Sequence, residues 1–332
     1  MMRRSYAAIF SIVLISGVLI SGGLTIAQAN DAFPNARKPT SVEDLNYWLE
    51  NMVTFHHFTV DEIQQATGLA QSDIRTAIKE LKLKPGSNTK TKPNAPILVK
   101  PYPGGRHPRI GFLEGAIDPQ RETKISVFTP WDQGSYVVLD IPEAVWSNLG
   151  LTYLAHTHVP TIWSKQNIDL PKLEWTRHES GALSLLRKLP NGIQFHTVVE
   201  SRPDAVLMEM LLTNGTDKTL SKLRVQNCAM LKMAKGFAQQ NNENKLFRAP
   251  YAACKSKSGD HWIIMAWSPC FKPWGNQKCP CLHSDPVFPD CPPGETKRVK
   301  GWFSFYTGTD IESELNRIDK LGWQKIPMKG PE

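Results

Sequence analysis

The absences in this 332-residue sequence exclude several large classes of protein. There is no glycine-rich phosphate loop, no dinucleotide fingerprint, no G-x-S-x-G elbow and no H-E-x-x-H pair. P-loop NTPases, nucleotide-dependent dehydrogenases, α/β-hydrolases and zincin proteases are thereby set aside. Lys and Arg outnumber Asp and Glu by 39 to 31, a net charge of +8, yet no run of five or six basic residues occurs. The surplus therefore marks no nucleic-acid stripe and supports only a mild preference for anionic ligands. There is no C-x-x-C pair, no internal repeat and no low-complexity tail, and after the first thirty residues no stretch is apolar enough to cross a membrane.

What is present begins with an export signal. Arg3 and Arg4 precede an apolar run from Tyr6 to Ile26, and Ala27-Gln28-Ala29 follows as an A-x-A cleavage site. The expectation is a periplasmic or secreted chain starting near Asn30, or one held by an uncleaved anchor, since the run is just long enough to span a bilayer. Cleavage at 29 and retention as an anchor both stay open; the mature chain has no other span. No Cys stands at the cleavage site, which argues against a lipoprotein. Six cysteines, Cys228, Cys254, Cys270, Cys279, Cys281 and Cys291, then point to disulfides in an oxidising compartment. Four of them lie in "CFKPWGNQKCPCLHSDPVFPDC", which lacks periodicity and reads as a cross-linked loop. The alternative is a zinc site drawn from Cys270, Cys279, Cys281, His283 and Cys291, although that spacing matches none of the usual pairs.

Helical spacing dominates residues 41–83. In "SVEDLNYWLENMVTF" Ser41 can cap a helix that lines up Leu45, Trp48, Leu49, Met52 and Val53. In "FTVDEIQQATGLAQSDIRTAIKEL" Thr59 and Glu62 form a capping box, Gly68 marks a turn, and Ile74, Ala77, Ile78 and Leu81 line a third helix. Residues 59–81 resemble a helix-turn-helix, with Gly68 at the turn, Leu69 and Ile74 at core positions, and a departure at Gln64, where a small residue usually sits. The resemblance would put Gln71, Ser72, Arg75 and Lys79 in a DNA groove. Export argues against that, so the expectation is a three-helix packing module without a nucleic-acid partner.

"KPGSNTKTKPNAP", residues 84–96, reads as a linker. From Ile97 onward lie nine of the ten tryptophans and a series of short β-rich runs: "KISVF", "SYVVLDI", "LTYLAHTH", "LEWTRH", "IQFHTVV", "AVLMEMLLT", "KLRVQNCAMLK", "HWIIMAWS" and "RVKGWFSFY". Turn signals divide them with no helix between, which predicts an antiparallel sandwich over 97–325. Thr309 and Glu312 can cap a closing helix with Ile311, Leu315, Ile318 and Leu321 as its stripe and Gly322 as its stop. The fold class read from the sequence is α+β, mainly β: a small three-helix module, a large antiparallel β-sandwich and a C-terminal helix.

The succession "SGALSLLRKLPNGIQF", "VLMEMLLTNGTDKTLSKLRVQNCAML" and "PPGETKRVKGWFSFYTG" resembles the galactose-mutarotase-like supersandwich of carbohydrate-active proteins, on turn chemistry and not on catalytic residues. The chain as a whole also resembles a set of exported proteins from planctomycete-type bacteria. The first resemblance implies a β-sandwich and a carbohydrate-like ligand.

Three constellations carry candidate chemistry. His156 and His158, in "TYLAHTHVPTIW", are two apart in the expected strand and would share a face with Thr152 and Leu154, a spacing that suits two ligands of one metal. Gly150 completes G-x5-H-x-H, half of a cupin motif, but the Glu that should follow is missing. A third ligand would have to come from His107, Glu114, His178 or His196. Second, the Pro- and Gly-interrupted "PYPGGRHPRIGFLEGAIDPQRETK" gathers Arg106, His107, Arg109, Glu114, Asp118, Arg121 and Glu122. Its guanidinium forks suit carboxylate or sulfate groups, and Glu114 with Asp118 or Glu122, or with His107, suits acid–base work on a glycoside. Third, Trp131 and Trp274 stand beside Pro or Gly in loops, where an indole can stack on a sugar face. The reading is an exported β-sandwich that binds or processes a carbohydrate-like, anionic ligand. Arg106, Arg109, Arg121 and Trp131 would bind it, Glu114 and His107 would catalyse, and His156 and His158 would transfer protons or hold a divalent transition metal, the one cofactor the residues suggest. The alternatives are an exported binding or scaffold module without activity, and a metal-dependent enzyme centred on His156 and His158.

Overall fold

The computed structural model describes residues 33–86, 94–111 and 120–328. The signal segment, Glu114, Asp118 and the middle of the 84–96 stretch lie outside the described residues. Among the described residues no helix is long and apolar enough to cross a membrane.

Local chemistry sets the first three helices. Ser41 accepts the Asp44 N–H at the start of α1 (Val42–Glu50), which runs on into one wide π-helical turn, Asn51–Phe55. The capping box of Thr59 and Glu62 is complete at the start of α2 (Val60–Thr67), and Gly68 ends that helix at φ +70, a left-handed position that suits glycine. Gln64, which departs from the helix-turn-helix pattern, donates its side-chain amide to the Leu69 carbonyl at 3.2 Å and so braces the turn before α3 (Gln71–Glu80).

The strands are β1 (Val99–Pro101), β2 (Lys124–Phe128), β3 (Tyr136–Ser147), β4 (Gly150–Leu154), β5 (Thr176–Arg177), β6 (Leu183–Lys188), β7 (Gln194–Ser201), β8 (Val206–Thr213), β9 (Arg224–Met230), β10 (Lys245–Arg248), β11 (Tyr251–Lys255), β12 (His261–Ser268), β13 (Cys270–Trp274), β14 (Cys281–Pro286) and β15 (Thr296–Thr307). They form two antiparallel sheets. One has seven strands in the order β1-β2-β3-β9-β14-β13, with β4 pairing the far half of β3; the other has eight, β10-β11-β12-β15-β8-β7-β6-β5.

Alternation along the strands builds three apolar layers. Ile125, Val137, Leu139, Val225, Ala229 and Leu282 of the first sheet meet Met208, Met210, Ile263, Met265, Trp267 and Phe303 of the second in the central core. The outer face of the eight-stranded sheet, with Leu207, Tyr251, Trp262, Ile264 and Trp302, is covered by α4 (Ile311–Lys320) through Ile311, Leu315 and Ile318, and by Trp323 beyond it. The outer face of the seven-stranded sheet packs Tyr136, Val138, Cys228, Met230 and Cys281 with Trp48, Leu49, Met52, Ile63 and Ile74 of the helices. The mainly-β class with its closing helix is therefore as read from the sequence.

Four local expectations are corrected. No disulfide joins any of the six cysteines; Cys254 and Cys291 lie in the central core, and Cys228, Cys279 and Cys281 lie under the helices. The stretch expected as a cross-linked loop is instead the hairpin β13–β14, whose register runs from Cys270↔Pro286 to Trp274↔His283. Pro273 is tolerated because β13 is an edge strand, and Pro286 stands at the last position of β14. The closing helix is capped by Asp310, which accepts the Ser313 N–H, and not by Thr309. Finally, "LEWTRH" contributes only the two-residue β5, and "LTYLAHTH" is strand only as far as Leu154.

Candidate functional site

The site begins with an irregularity in β3. Asp140 pairs Cys228 of β9 and Ala144 pairs Gln226, so three residues of β3 oppose one of β9. Such a bulge re-aims side chains, and here it brings Asp140 and Glu143 into one buried polar cluster. On β9 and β14 the outward positions beside them carry Gln226, Cys228, Cys281, His283 and Asp285.

Asp140 is fully buried against Lys124 at 3.1 Å and His156 Nε2 at 3.0 Å, and it also accepts from the Thr123 hydroxyl. Burial would raise its carboxyl, but Lys124, His156 and Thr123 outweigh burial and hold it well below the usual carboxylate range. Glu143 accepts from Arg109 Nη2 and from the Gln226 amide, each at 2.9 Å. There too burial is outweighed, by Arg109, His156 and His283, and the carboxyl is held low. His156 spans the two carboxylates. Its Nε2 donates to Asp140, and its Nδ1 faces Glu143 Oε1 at 3.8 Å without a hydrogen-bond partner among the described residues. An imidazole oriented by one carboxylate, with its second nitrogen toward another, is built for proton transfer.

Beyond Glu143 opens a cleft of about 360 Å3. Trp146, Leu151, Leu154, Pro160 and Trp274 give it apolar walls, and Arg109, His158, Lys165, Gln226 and Asn276 supply polar groups. A second cleft of about 200 Å3 adjoins it, sharing Trp146, Gln226 and Trp274 and adding Arg224, Lys272 and Asp285. Trp274 lies flat on His283, centroids 3.9 Å apart and planes 8° apart, and its indole N–H donates to Asp285 at 2.6 Å. Burial pushes the Asp285 carboxyl up to about 6, against the opposing pull of His283 and Trp274.

Of the residues singled out from sequence, this cluster and its cleft gather Arg109, His156, His158 and Trp274, together with Cys279, Cys281 and His283 of the zinc alternative. Arg109 reaches it from the 101–111 arm. Burial disfavours its charge, yet Cys228 and Glu143 outweigh that and keep the guanidinium firmly cationic. His158 lines the cleft, 5.5 Å ring to ring from His156. Burial, His156 and Arg109 lower its imidazole despite Glu143. Because β4 ends at Leu154, the two histidines do not share a strand face: His156 turns inward to Asp140 and also borders a cleft of about 410 Å3 with Arg37, Glu122 and Arg187.

The other expected residues stand elsewhere. Arg106 is a clasp between the arm and α2. It bonds Glu62 at 2.5 and 2.8 Å, the Tyr136 hydroxyl at 3.1 Å and the His56 and His57 carbonyls at 3.2 Å. Gly105 makes that approach feasible, since a Cβ there would lie 2.3 Å from the Glu62 carbonyl oxygen. Arg121 lies 3.5 Å over the Trp48 ring in a separate cleft with Arg37, Lys38, Lys172 and Arg177. Burial, with Arg37 nearby, depresses it to about 10 against the pull of Glu174. Trp131 stacks on Phe237, bonds Thr307 and lines neither cleft. His107 Nδ1 bonds the Arg109 carbonyl at 2.7 Å, helping shape the arm. His178 bonds Ser184, and His196 is on β7 of the other sheet.

Sequence reasoning missed Asp140, Glu143 and Gln226, which lie in runs that read as plain strand, and it read Cys228 as a disulfide partner and not as part of a ligand group. The interrupted alternation at "LDIPEAVW" was the available signal, because Pro142 inside a strand pattern marks a bulge. The structure also draws Cys228, Cys281 and His283 together, their ligand atoms all within 4.8 Å of one another. Two of the three belong to the zinc alternative read from the sequence; Cys228 completes the group.

No protein-family model matches the chain, and no curated protein matches it. Among solved structures it is similar to a protein described as a kojibiose phosphorylase from the human microbiome, at 11% identity and a TM-score of 0.29 over 44% of this chain. The match spans about a fifth of that protein's length, 21%. It is also similar to the Slr1438 protein from Synechocystis, at 9% identity and a TM-score of 0.33 over 66% of this chain and 99% of that one.

Proposed function

We propose that this protein is exported and that its paired clefts bind a carbohydrate-like, anionic ligand. The observation that carries this reading is the pair of adjoining clefts that share Trp146 and Trp274 and are ringed by Arg109, His158, Lys165, Arg224 and Lys272. An indole face suits the C–H face of a pyranose, and clustered cations suit carboxylate or sulfate groups on it. Two clefts joined across one aromatic rim suit consecutive sugar units. Within this reading Glu143, held by Arg109 and Gln226, is the carboxylate that faces the ligand, and His156 and Asp140 are its proton relay. Export rests on Arg3, Arg4, the apolar run and the A-x-A site, and amino-terminal sequencing of the mature chain should begin near Asn30.

The test is calorimetry against matched acidic and neutral oligosaccharides, with the wild type, Trp146→Ala and Lys165→Ala. Acidic members should bind. Trp146→Ala should weaken binding about tenfold, roughly 1.4 kcal/mol. Lys165 is solvent-exposed, so Lys165→Ala should weaken binding only a few-fold, by an amount that shrinks as salt is raised. Heat of binding from neither class, or equal binding by the Trp146 variant, would overturn the reading.

A further inference from the structure

We propose that Cys228, Cys281 and His283 form a metal centre for a zinc-class divalent ion, with the fourth coordination position directed at the larger cleft. The proposal stands on the protein's own residues and does not depend on the carbohydrate reading.

The first ground is geometry. The two sulfurs and a His283 ring nitrogen lie within 4.8 Å of one another, and all three residues are buried. A tetrahedral zinc, with bonds of about 2.3 Å to sulfur and about 2.0 Å to nitrogen, needs its ligand atoms roughly 3.5–3.8 Å apart. Small rotations of the two short thiol side chains close that difference. The ligands come from adjacent strands: β9 pairs β14 through Met230↔Cys281 and Ala229↔Leu282, so residues on the outward side of both strands converge.

The second ground is the support behind the ligands. His283 Nδ1 donates to the Asn227 carbonyl at 3.0 Å, which leaves Nε2 with the lone pair. Metal-bound imidazoles are oriented in this way, by a hydrogen bond from the nitrogen that does not bind. The Trp274 ring, parallel to His283 at 3.9 Å, fixes the imidazole plane. Arg109 Nη2 donates to Cys228 Sγ at 3.5 Å, the kind of bond that tunes a metal-bound thiolate.

The third ground is charge. Arg109 is paired with Glu143, and Lys124 with Asp140. Two thiolates added to this buried patch would leave two negative charges to neutralise, and a divalent cation neutralises both. Paired thiolates with one imidazole select zinc or a metal of similar softness over magnesium or calcium. Cys281 and His283 border the larger cleft beside Glu143 and Arg109, and Cys228 is not part of its lining. Three protein ligands leave the fourth position to a water or a ligand atom, the arrangement of a reactive metal centre and not of a structural one.

The experiment uses the full chain purified without chelator, with zinc supplied, and read by elemental analysis and by the absorption of the cobalt-substituted form. One ion per chain is expected, with intense thiolate-to-cobalt charge-transfer bands. Cys228→Ser, Cys281→Ser and His283→Asn should each lower zinc affinity at least tenfold, while Cys254→Ser and Cys291→Ser retain it. Thiocyanate should shift the visible cobalt bands because the fourth position is open; unshifted bands would overturn that part. Should a ligand variant not fold, alkylation of the wild-type protein tests the same ligands: chelator should make Cys228 and Cys281 newly reactive. Substoichiometric zinc, a cobalt spectrum without thiolate bands, or a Cys228–Cys281 disulfide in the mass spectrum would overturn the proposal. Trp146→Ala, which takes an indole from the cleft wall and none of the three ligands, should leave the metal content unchanged, so the two readings can fail separately.

Discussion

The two sheets share one central core, but their outer faces are put to opposite uses. The outer face of the eight-stranded sheet is mainly apolar where it is buried, with Ser304 and Glu209 as polar exceptions, and is closed by a single amphipathic helix, α4, through Ile311, Leu315 and Ile318. The outer face of the seven-stranded sheet changes character along β3. Tyr136 and Val138 pack under the first three helices, whereas Asp140 and Glu143, a few residues on, belong to a network of buried ions. Apolar burial stabilises with little demand on geometry. Buried ions contribute only while each is paired, and they often stabilise less than an apolar replacement would. One face thus secures the fold, and the other holds in fixed positions groups that water would otherwise disperse.

The largest expected effect breaks the polar face. Asp140→Asn leaves Lys124 fully buried without its carboxylate partner, and chemical denaturation should show a loss of about 3–5 kcal/mol. The double variant Asp140→Asn with Lys124→Met should recover most of that loss, because no unpaired charge remains. A single-variant loss below about 1 kcal/mol would show that the pair is solvated, and the contrast between the faces would weaken.

The matching variant on the apolar face is Leu315→Ala. Leu315 is fully buried between α4 and the sheet, so truncation should lower stability by about 2–4 kcal/mol through lost transfer energy and a residual cavity. Oligosaccharide affinity and zinc content should not change, since neither the clefts nor the cysteine–histidine group draws on that face. A change in either would show that the two outer faces are coupled through the core.

A third prediction separates the two halves of the seven-stranded sheet by pH. His56, at the end of the π turn, bonds the Asn51 carbonyl and the Ser126 hydroxyl. Burial, with Arg106 nearby and only the Asn51 bond in opposition, depresses its imidazole to about 3. The folded protein keeps His56 neutral, while the unfolded chain takes up a proton below about 6.5. The unfolded state therefore binds more protons in that window, and stability falls as pH drops from about 6.5 toward 3, by up to about 1.4 kcal/mol per pH unit. Thermal melts between pH 7 and pH 5 should show a loss of roughly 1–2 kcal/mol that His56→Gln reduces. An unchanged slope in that variant would assign the acid sensitivity to other groups.

How much of this was legible in the sequence depends on how local the cause is. Ser41, Thr59, Glu62 and Gly68 act within one turn of the chain, and the helices they bound are where their spacing puts them. "KISVF" and "HWIIMAWS" are strands with the same limits because each is a run of β-formers between turn signals. The hairpin β13–β14 was hidden because proline and cysteine obscure an alternation of period two, visible afterwards in Cys281, His283 and Asp285 facing out with Leu282 between them. The cluster itself depends on β3, β9 and β14 lying side by side, a pairing that no local pattern encodes. Asp140 meets His156 across a bulge, and Cys228 meets His283 across 55 residues of sequence. Arg109 was recognisable as a ligand-type residue in an arm too broken to be a strand, but its partner Glu143 was not.

The smallest effect concerns the link between the helices and the cleft. Thr59 caps α2 and bonds Glu62, Glu62 grips Arg106, and Arg106 anchors the arm that carries Arg109 to Glu143. Thr59→Ala removes the cap bond from the Glu62 N–H and the hydroxyl's bond to the Glu62 carboxylate, and should lower stability by about 1 kcal/mol. It should leave oligosaccharide affinity within about twofold, because the Glu62–Arg106 pair survives. Glu62→Gln removes the charge from that pair and frees the Arg106 fork, so the arm loosens and affinity in the cleft should fall further than with Thr59→Ala, even when the two variants are equally stable. Calorimetry on both variants reads the difference. Equal affinities would mean that Arg109 is held by Glu143 alone, and that the helices cover the apolar half of this sheet without steering its polar half.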